Sequence, residues 1–387
     1  MFPGAVRSGN AFSGLTTDDF PSTPGRAPHD SGTSATRHCA GVRPVRTGRS
    51  EAMADTATAP TTAGTRPVPG LRVGVIGLGT MGGGMASRLL DEGWDVTVHN
   101  RTAARSAAWA DRAPIATSPA ELATRADVVL VSVADEAAVE QVLFGQDGVC
   151  GALRVGGVVV DASTVSPDFA RASAERAART GHPVLDARAL GNGQHARQGE
   201  LRFLVGGDPA VFARVRPVLD ALGKEVTLLG GHGAGAAMKL VLNMLMGIEM
   251  QALAEAVVLG EGAGLARGDI LRTIAASGFS SPVMRFKSGV MGRRAFENPD
   301  FRLALMRKDL GLVRAEAHRA GVPLPAADAA YTALTAAVQH GLGEQDCAAV
   351  LALMENWAGR EAPPPLPPGA LPAGGPPAGA ARGGRPS

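Results

Sequence analysis

Leu71-Arg72-Val73-Gly74-Val75-Ile76-Gly77-Leu78-Gly79-Thr80-Met81-Gly82 is the stretch that decides the fold. Val73 to Ile76 carries no charge and reads as a buried strand. Gly77 to Gly82 follows at once as GxGxxG, and Met81–Glu92 then has helical character. In a chain with 51 glycines that motif alone is weak evidence. Its place between a strand and a helix makes it specific. Gly77 permits a tight turn, Gly79 lets a ligand's phosphates approach the backbone, and Gly82 lets the helix pack close to the strand. The helix start offers free N–H groups and partial positive charge to an anion. Gly77, Leu78, Gly79, Thr80, Met81 and Gly82 are therefore expected to form a dinucleotide site.

Moving outward, further short apolar runs alternate with helical stretches. They are Val96–His99, Val128–Val133, Val158–Asp161, Pro183–Asp186, Leu201–Val205 and Val226–Leu229. Helical segments such as Pro119–Arg125 and Pro167–Thr180 lie between them. This alternation predicts an α/β fold, a doubly wound, mostly parallel sheet covered on both faces. After Leu229 no strand is evident. Ala236–Gly262 reads as one long helix, apolar nearly all round, which calls for burial in a core or an interface. More helices are expected near Arg267–Ala276, Phe301–Ala320 and Ala326–Gly341. The predicted organisation is a Rossmann-like domain over 71–232 and an all-helical domain over 233–357, entered by the long interdomain helix.

The ends read differently. Residues 1–70 are rich in Ser, Thr, Gly, Pro and Arg with no sustained apolar period, so disorder is expected there. Met53 is a plausible second start, and Asp18, Asp19 and Asp30 argue against a transit peptide. Residues 358–387 are expected to be a Pro/Gly/Ala-rich disordered tail; from Ala362 it holds nine of the 27 prolines, which favours extended chain.

Lys plus Arg number 38 and Asp plus Glu 36, a balance that argues against a nucleic-acid binder. Three cysteines, without CxxC, exclude a disulfide-built module and a zinc site. A reducing, cytoplasmic setting and no metal are expected. The longest uncharged stretch of the long helix, Leu240–Ile248, is too short for a bilayer, so no membrane partner is expected.

The end of the second strand bears on cofactor choice. An acidic residue there would bind a ribose 2′-hydroxyl. This chain instead reads Asn100-Arg101-Thr102. Arg101 suits a 2′-phosphate, with Asn100 and Thr102 adding hydrogen bonds, so NADP is favoured over NAD.

Lys239 and Asn243 are i and i+4 on the long helix and share one face. The residues alone leave two readings open. Lys239 snorkels from the helix start, or it is buried with a lowered pKa and moves a proton to or from a carbonyl oxygen under reduction.

With the glycine motif, Asp161-Ala162-Ser163-Thr164-Val165-Ser166-Pro167, Gly233-Ala234-Gly235-Ala236-Ala237-Met238-Lys239-Leu240-Val241-Leu242-Asn243 and Met306-Arg307-Lys308-Asp309-Leu310 occur in order. Over about residues 71–355 the chain thereby resembles the β-hydroxyacid dehydrogenase family. This group includes 3-hydroxyisobutyrate dehydrogenase, tartronate semialdehyde reductase and glyoxylate/succinic semialdehyde reductases. The resemblance implies hydride transfer between NADP(H) and a hydroxy or carbonyl substrate, with Lys239 and Asn243 catalytic. It also implies that Thr164 touches the nicotinamide side of the cofactor, that Lys308 reaches it from the helical domain, and that the chain forms a homodimer or homotetramer. Asp309 is expected to orient its neighbours.

The chain departs from the family at the substrate loop, where D-A-P-V-S-G-G is usual. Here Asp186-Ala187-Arg188-Ala189-Leu190-Gly191-Asn192-Gly193 stands. Leu190 replaces the serine and cannot hydrogen-bond a carboxylate through its side chain. Arg188 is a bidentate alternative, and the backbone N–H groups of Gly191 and Asn192 are others. A bulkier or less polar substrate fits Leu190 better. The alternatives are an imine reductase, whose members usually lack a lysine at the position of Lys239, the more distant 6-phosphogluconate dehydrogenases, and a cofactor-binding module without chemistry.

Overall fold

β-Branched runs without charge make the strands, and capped alanine-rich stretches make the helices between them. The computed structural model describes residues 67–367 and 369–371. The expectation for residues 1–66, and for the tail beyond 371, lies outside the described residues.

In chain order the first part comprises β1 (Arg72–Ile76), α1 (Thr80–Asp91), β2 (Asp95–His99), α2 (Ala103–Ala107), α3 (Pro119–Arg125), β3 (Val128–Val131), α4 (Glu136–Phe144), β4 (Val158–Asp161) and α5 (Pro167–Ala178). It continues with β5 (Val184–Leu190), α6 (Gly193–Gln198), β6 (Leu201–Gly206), α7 (Pro209–Leu222) and β7 (Gly223–Gly230). Ser118 and Ser166 cap α3 and α5 with a proline in the first turn, the local signal that fixes where those helices start.

The seven strands lie in the order β2-β1-β3-β4-β5-β6-β7. Neighbours are parallel except β5 and β6. The mostly parallel sheet is thus as expected, with one reversal. The short α6 turns the chain straight back beside β5, and the β6–α7–β7 crossover keeps the new direction. Strand residues alternate between two cores. Val73, Val75, Leu130 and Val160 pack on one face with Met85 and Leu89 of α1, while Ile76, Val129, Val131 and Val159 pack on the other with Leu122 and Leu143. Such fully buried Val or Leu side chains each contribute about 1.5–3 kcal/mol. The strand order reverses direction between β1 and β3, which opens a crevice at their C-terminal ends.

The second part is helical throughout: α8 (Ala234–Gly262), α9 (Arg267–Ala276), α10 (Pro282–Arg293), α11 (Leu303–Ala320), α12 (Pro325–Ala337) and α13 (Val350–Trp357). The helix expected to run to Gly341 stops at Ala337, and a wide turn, Val338–Leu342, follows with Gly341 at φ 83°. By length and composition α8 is apolar enough to cross a membrane. Its place is that of a core helix: Met250, Leu253, Ala254 and Val257 are enclosed by α9 to α13. The tail from 358 is a correction in part. Leu366 and Leu371 pack onto the helical core, and the Leu366 N–H donates to Gly292 O at 2.9 Å. Two leucines spaced along an extended proline-rich chain reach apolar holes that composition alone does not reveal.

Candidate active site

The glycine turn sits at the crevice. Gly77 adopts φ 93°, and a Cβ there would collide with the Ser132 carbonyl. A Cβ on Gly82 would strike the Gly77 carbonyl. Gly79 differs: nothing lies within 4 Å of where its Cβ would be. It is the N-cap of α1 and has no side chain to cap it. The first N–H groups of α1 therefore face an open cradle that a pyrophosphate fits. Leu78, Thr80 and Met81 complete the turn.

Asn100 does not extend toward a ribose as expected. Its Oδ1 accepts the Leu78 N–H at 3.0 Å and its Nδ2 donates to Thr102 O at 3.2 Å, so it braces the glycine turn. Arg101 and Thr102 are exposed beside it, and Arg101 has no side-chain partner among the described residues.

At the same end of the sheet, Lys239 enters from the second turn of α8. Its Nζ donates to Ala189 O of β5 at 2.9 Å. Burial lowers its pKa; Asp309 opposes that shift, while Lys308 and Arg188 add to it. Asn243, one turn on and buried, donates from Nδ2 to Asp309 Oδ2 at 2.6 Å. It is held by α11 and does not bond Lys239. Asp309 Oδ1 lies 2.9 Å from Lys308 Nζ, a charge contact without the alignment of a hydrogen bond. Burial raises the Asp309 pKa, which its Lys308, Lys239 and Asn243 neighbours oppose. Lys308 Nζ also donates to Thr164 O at 2.8 Å, joining α11 to the loop after β4. Lys239, Asn243, Thr164 and Lys308 are thus brought together where the helical part meets the strand ends.

The substrate-loop residues divide. Leu190 is half-buried at the end of β5 and Gly191 is exposed. Asn192 is otherwise engaged. Its Oδ1 caps α6 at Gln194 N and His195 N, its N–H donates to His195 Nδ1 at 3.2 Å, and its Nδ2 donates to Asp300 Oδ1. Arg188 points into the interior, fully buried, and pairs with Asp161 Oδ2 at 2.7 Å. In this arrangement neither is aimed at a substrate from solvent.

Sequence reasoning missed Asp186, within β5, and Asp161, at the end of β4, which are neighbours in register. Asp186 accepts from Gly233 N at 3.0 Å and Ala236 N at 2.9 Å, capping α8 from across the sheet. The available signal was an aspartate closing each apolar run, Val158–Asp161 and Val184-Leu185-Asp186.

Comparison with known proteins agrees with this architecture. Residues 72–231 match the NAD-binding domain of 6-phosphogluconate dehydrogenase. Residues 233–354 match the NAD-binding domain of NADP-dependent 3-hydroxyisobutyrate dehydrogenase. The chain is 35% identical over 290 residues to 2-(hydroxymethyl)glutarate dehydrogenase of Eubacterium barkeri, covering 75% of this chain and 96% of that one. It is 33% identical over 282 residues to glyoxylate/succinic semialdehyde reductase 1 of Arabidopsis thaliana, covering 73% and 97%. The crystal structure of 3-hydroxyisobutyrate dehydrogenase from Salmonella typhimurium superposes with a TM-score of 0.68 at 31% identity, over 73% of this chain and 99% of that one. With an open glycine cradle, a half-buried amine at the same end of the sheet and these matches across both parts, the chain belongs to the β-hydroxyacid dehydrogenase family of NAD(P)-dependent oxidoreductases.

Proposed function

We propose that this enzyme exchanges a hydride between NADP(H) and a small hydroxy acid or semialdehyde, with Lys239 as the proton donor and acceptor. The observation that carries this reading is the Lys239 amine, half-buried where α8 meets β5 and set among Lys308, Asp309 and Asn243. NADPH, when bound, supplies the hydride to the carbonyl carbon. The ammonium of Lys239 gives its proton to the oxygen, and in the reverse direction the neutral amine takes the hydroxyl proton. Asn243 and Asp309 hold the α8–α11 contact behind the amine. Lys308 and Thr164 hold the loop after β4, which would line the nicotinamide side of a bound cofactor. Two amines, Lys239 and Lys308, stand beside one carboxylate, Asp309, so the site favours a substrate that carries an acid group. Leu190 at the rim widens the choice to bulkier acyl chains.

Arg101 supports a preference for NADP. The exposed apolar side chains on α8 support a homodimer or homotetramer. Cys150 and Cys347 are buried and unbridged, which supports a reducing, cytoplasmic setting.

The test is NADPH oxidation with short semialdehydes, larger keto acids and cyclic imines as probes. Semialdehydes or keto acids are expected to turn over and cyclic imines are not. Lys239→Ala should lower turnover roughly 10²–10⁴-fold while NADPH binding, followed by fluorescence, is retained. Turnover equal to wild type removes Lys239 from the chemistry.

A further inference from the structure

Arg188 is the largest fully buried side chain among the described residues. A guanidinium in the interior is costly unless it is paired, and an apolar residue in its place is often as stable. Only one of its nitrogens is well served. Nη1 donates to Asp161 Oδ2 at 2.7 Å, to Asp161 O at 3.1 Å and to Ser163 O. Nε and Nη2 have no protein partner. Packing alone gives no reason for a cation here.

Its neighbours supply one. Asp161 Oδ1 accepts the Ser163 N–H at 3.0 Å, and Ser163 Oγ accepts the Val133 N–H at 3.0 Å. Val133 borders Gly77. A run of bonds thus crosses from β5 through β4 to Val133, which packs beside the glycine turn. The loop after β4 is held at Ser163 by Arg188 and at Thr164 by Lys308. The residue after Arg188 is Ala189, whose carbonyl receives Lys239.

We propose that Arg188 is a positioning residue for the reaction at Lys239: fully interior, it locks the loop after β4 to β5 and sets a fixed positive charge near the amine. This rests on the reading of Lys239 as the proton carrier. The charges that bear on Lys239 are Lys308 and Asp309 from α11 and Arg188 from β5, with Asp161 of β4 partly offsetting Arg188. Asp186 of β5 is engaged by the first N–H groups of α8. Arg188 and Lys308 both favour the neutral amine, so they ease release of its proton in the reductive direction.

The experiment follows acetylation of Lys239 by acetic anhydride against pH in the full-length protein without substrate, read by mass spectrometry. Alongside it, the pH profile of kcat/KM is measured for the carbonyl probe turned over fastest. The Arg188→Met/Asp161→Asn double variant removes both charges and leaves no buried orphan carboxylate. Its labelling midpoint, and the falling alkaline limb of reduction, should move up by roughly half to one pH unit. Asp161→Asn alone strips the offsetting charge and should move both down. Arg188→Lys keeps the charge and should keep the wild-type midpoint. Structural damage alone lowers rates and does not produce shifts of opposite sign. If the double variant does not fold, Asp161→Asn against Arg188→Lys carries the test, with the former lower. Midpoints that coincide with wild type, or that shift in one common direction, overturn the proposal. Should midpoints shift while Lys239→Ala keeps its turnover, the proton-carrier reading fails and the charge coupling stands. Should Lys239→Ala lose turnover while midpoints stay fixed, the role of Arg188 fails alone.

Discussion

At the end of β2, Asn100 turns inward to hold the Leu78 N–H, whereas Arg101 stays in solvent beside the mouth of the glycine turn. A guanidinium at that place suits the dianionic 2′-phosphate of NADP, and a carboxylate there would repel it and accept the ribose hydroxyls of NAD. Arg101→Asp should therefore raise the ratio of kcat/KM with NADH to that with NADPH by roughly 10–100-fold, the scale of one or two charge-assisted hydrogen bonds. Steady-state kinetics with both cofactors checks it; an unaltered ratio shows that Arg101 does not meet the phosphate. Residue type and neighbourhood made Lys239 legible, because an amine in so apolar a helix stands out. The same reasoning failed for Arg188 and Asn192. A sequence shows that a cation sits beside a substrate motif, but the strand's facing decides whether it points outward, and here Asp161 draws Arg188 inward.

At the scale of elements, α8 shows how a local rule is satisfied from a distance. It opens after Gly233, at φ 89°, with no capping side chain of its own. Four unpaired N–H groups at a buried helix start are costly. Asp186, 47 residues earlier at its contact with Gly233, supplies both carboxylate oxygens to that first turn. The negative charge also complements the helix dipole. Asp186→Ala should cost about 2–3 kcal/mol, from a lost cap and two unpaired buried donors. The urea midpoint of unfolding measures it, and an unchanged midpoint would deny Asp186 the capping role. No scan for local caps finds such a residue, because the partner comes from β5. Starts marked by Ser118-Pro119 and Ser166-Pro167 were legible for the opposite reason: cap and proline adjoin the helix they begin. The start of α10 at Ser281-Pro282 carries the same signal and went unread. The β5–β6 reversal hinges on a six-residue helix, too short for an apolar period to announce it.

On the scale of the whole molecule, α8 is apolar all round because different parts of its surface meet different neighbours. Leu240 and Asn243 face inward at the junction with the sheet, and Met250, Leu253 and Val257 face the helical core. Met238, Val241 and Leu245 remain exposed, at 39%, 49% and 50%. Their spacing of three and then four residues draws one seam along the helix, the repeat by which two helices pack side by side. Scattered surface leucines need no explanation, but a seam at helical spacing does. A second copy of this chain is the occupant our reading assigns to it. Leu245→Glu places a charge in that seam, where burial without a partner is strongly unfavourable. Light scattering behind size exclusion should show wild type as a dimer or tetramer and Leu245→Glu as a smaller species at the same concentration, with far-ultraviolet circular dichroism unchanged. A wild-type monomer, or a variant that keeps the wild-type mass, would mean that the seam faces solvent in the native assembly.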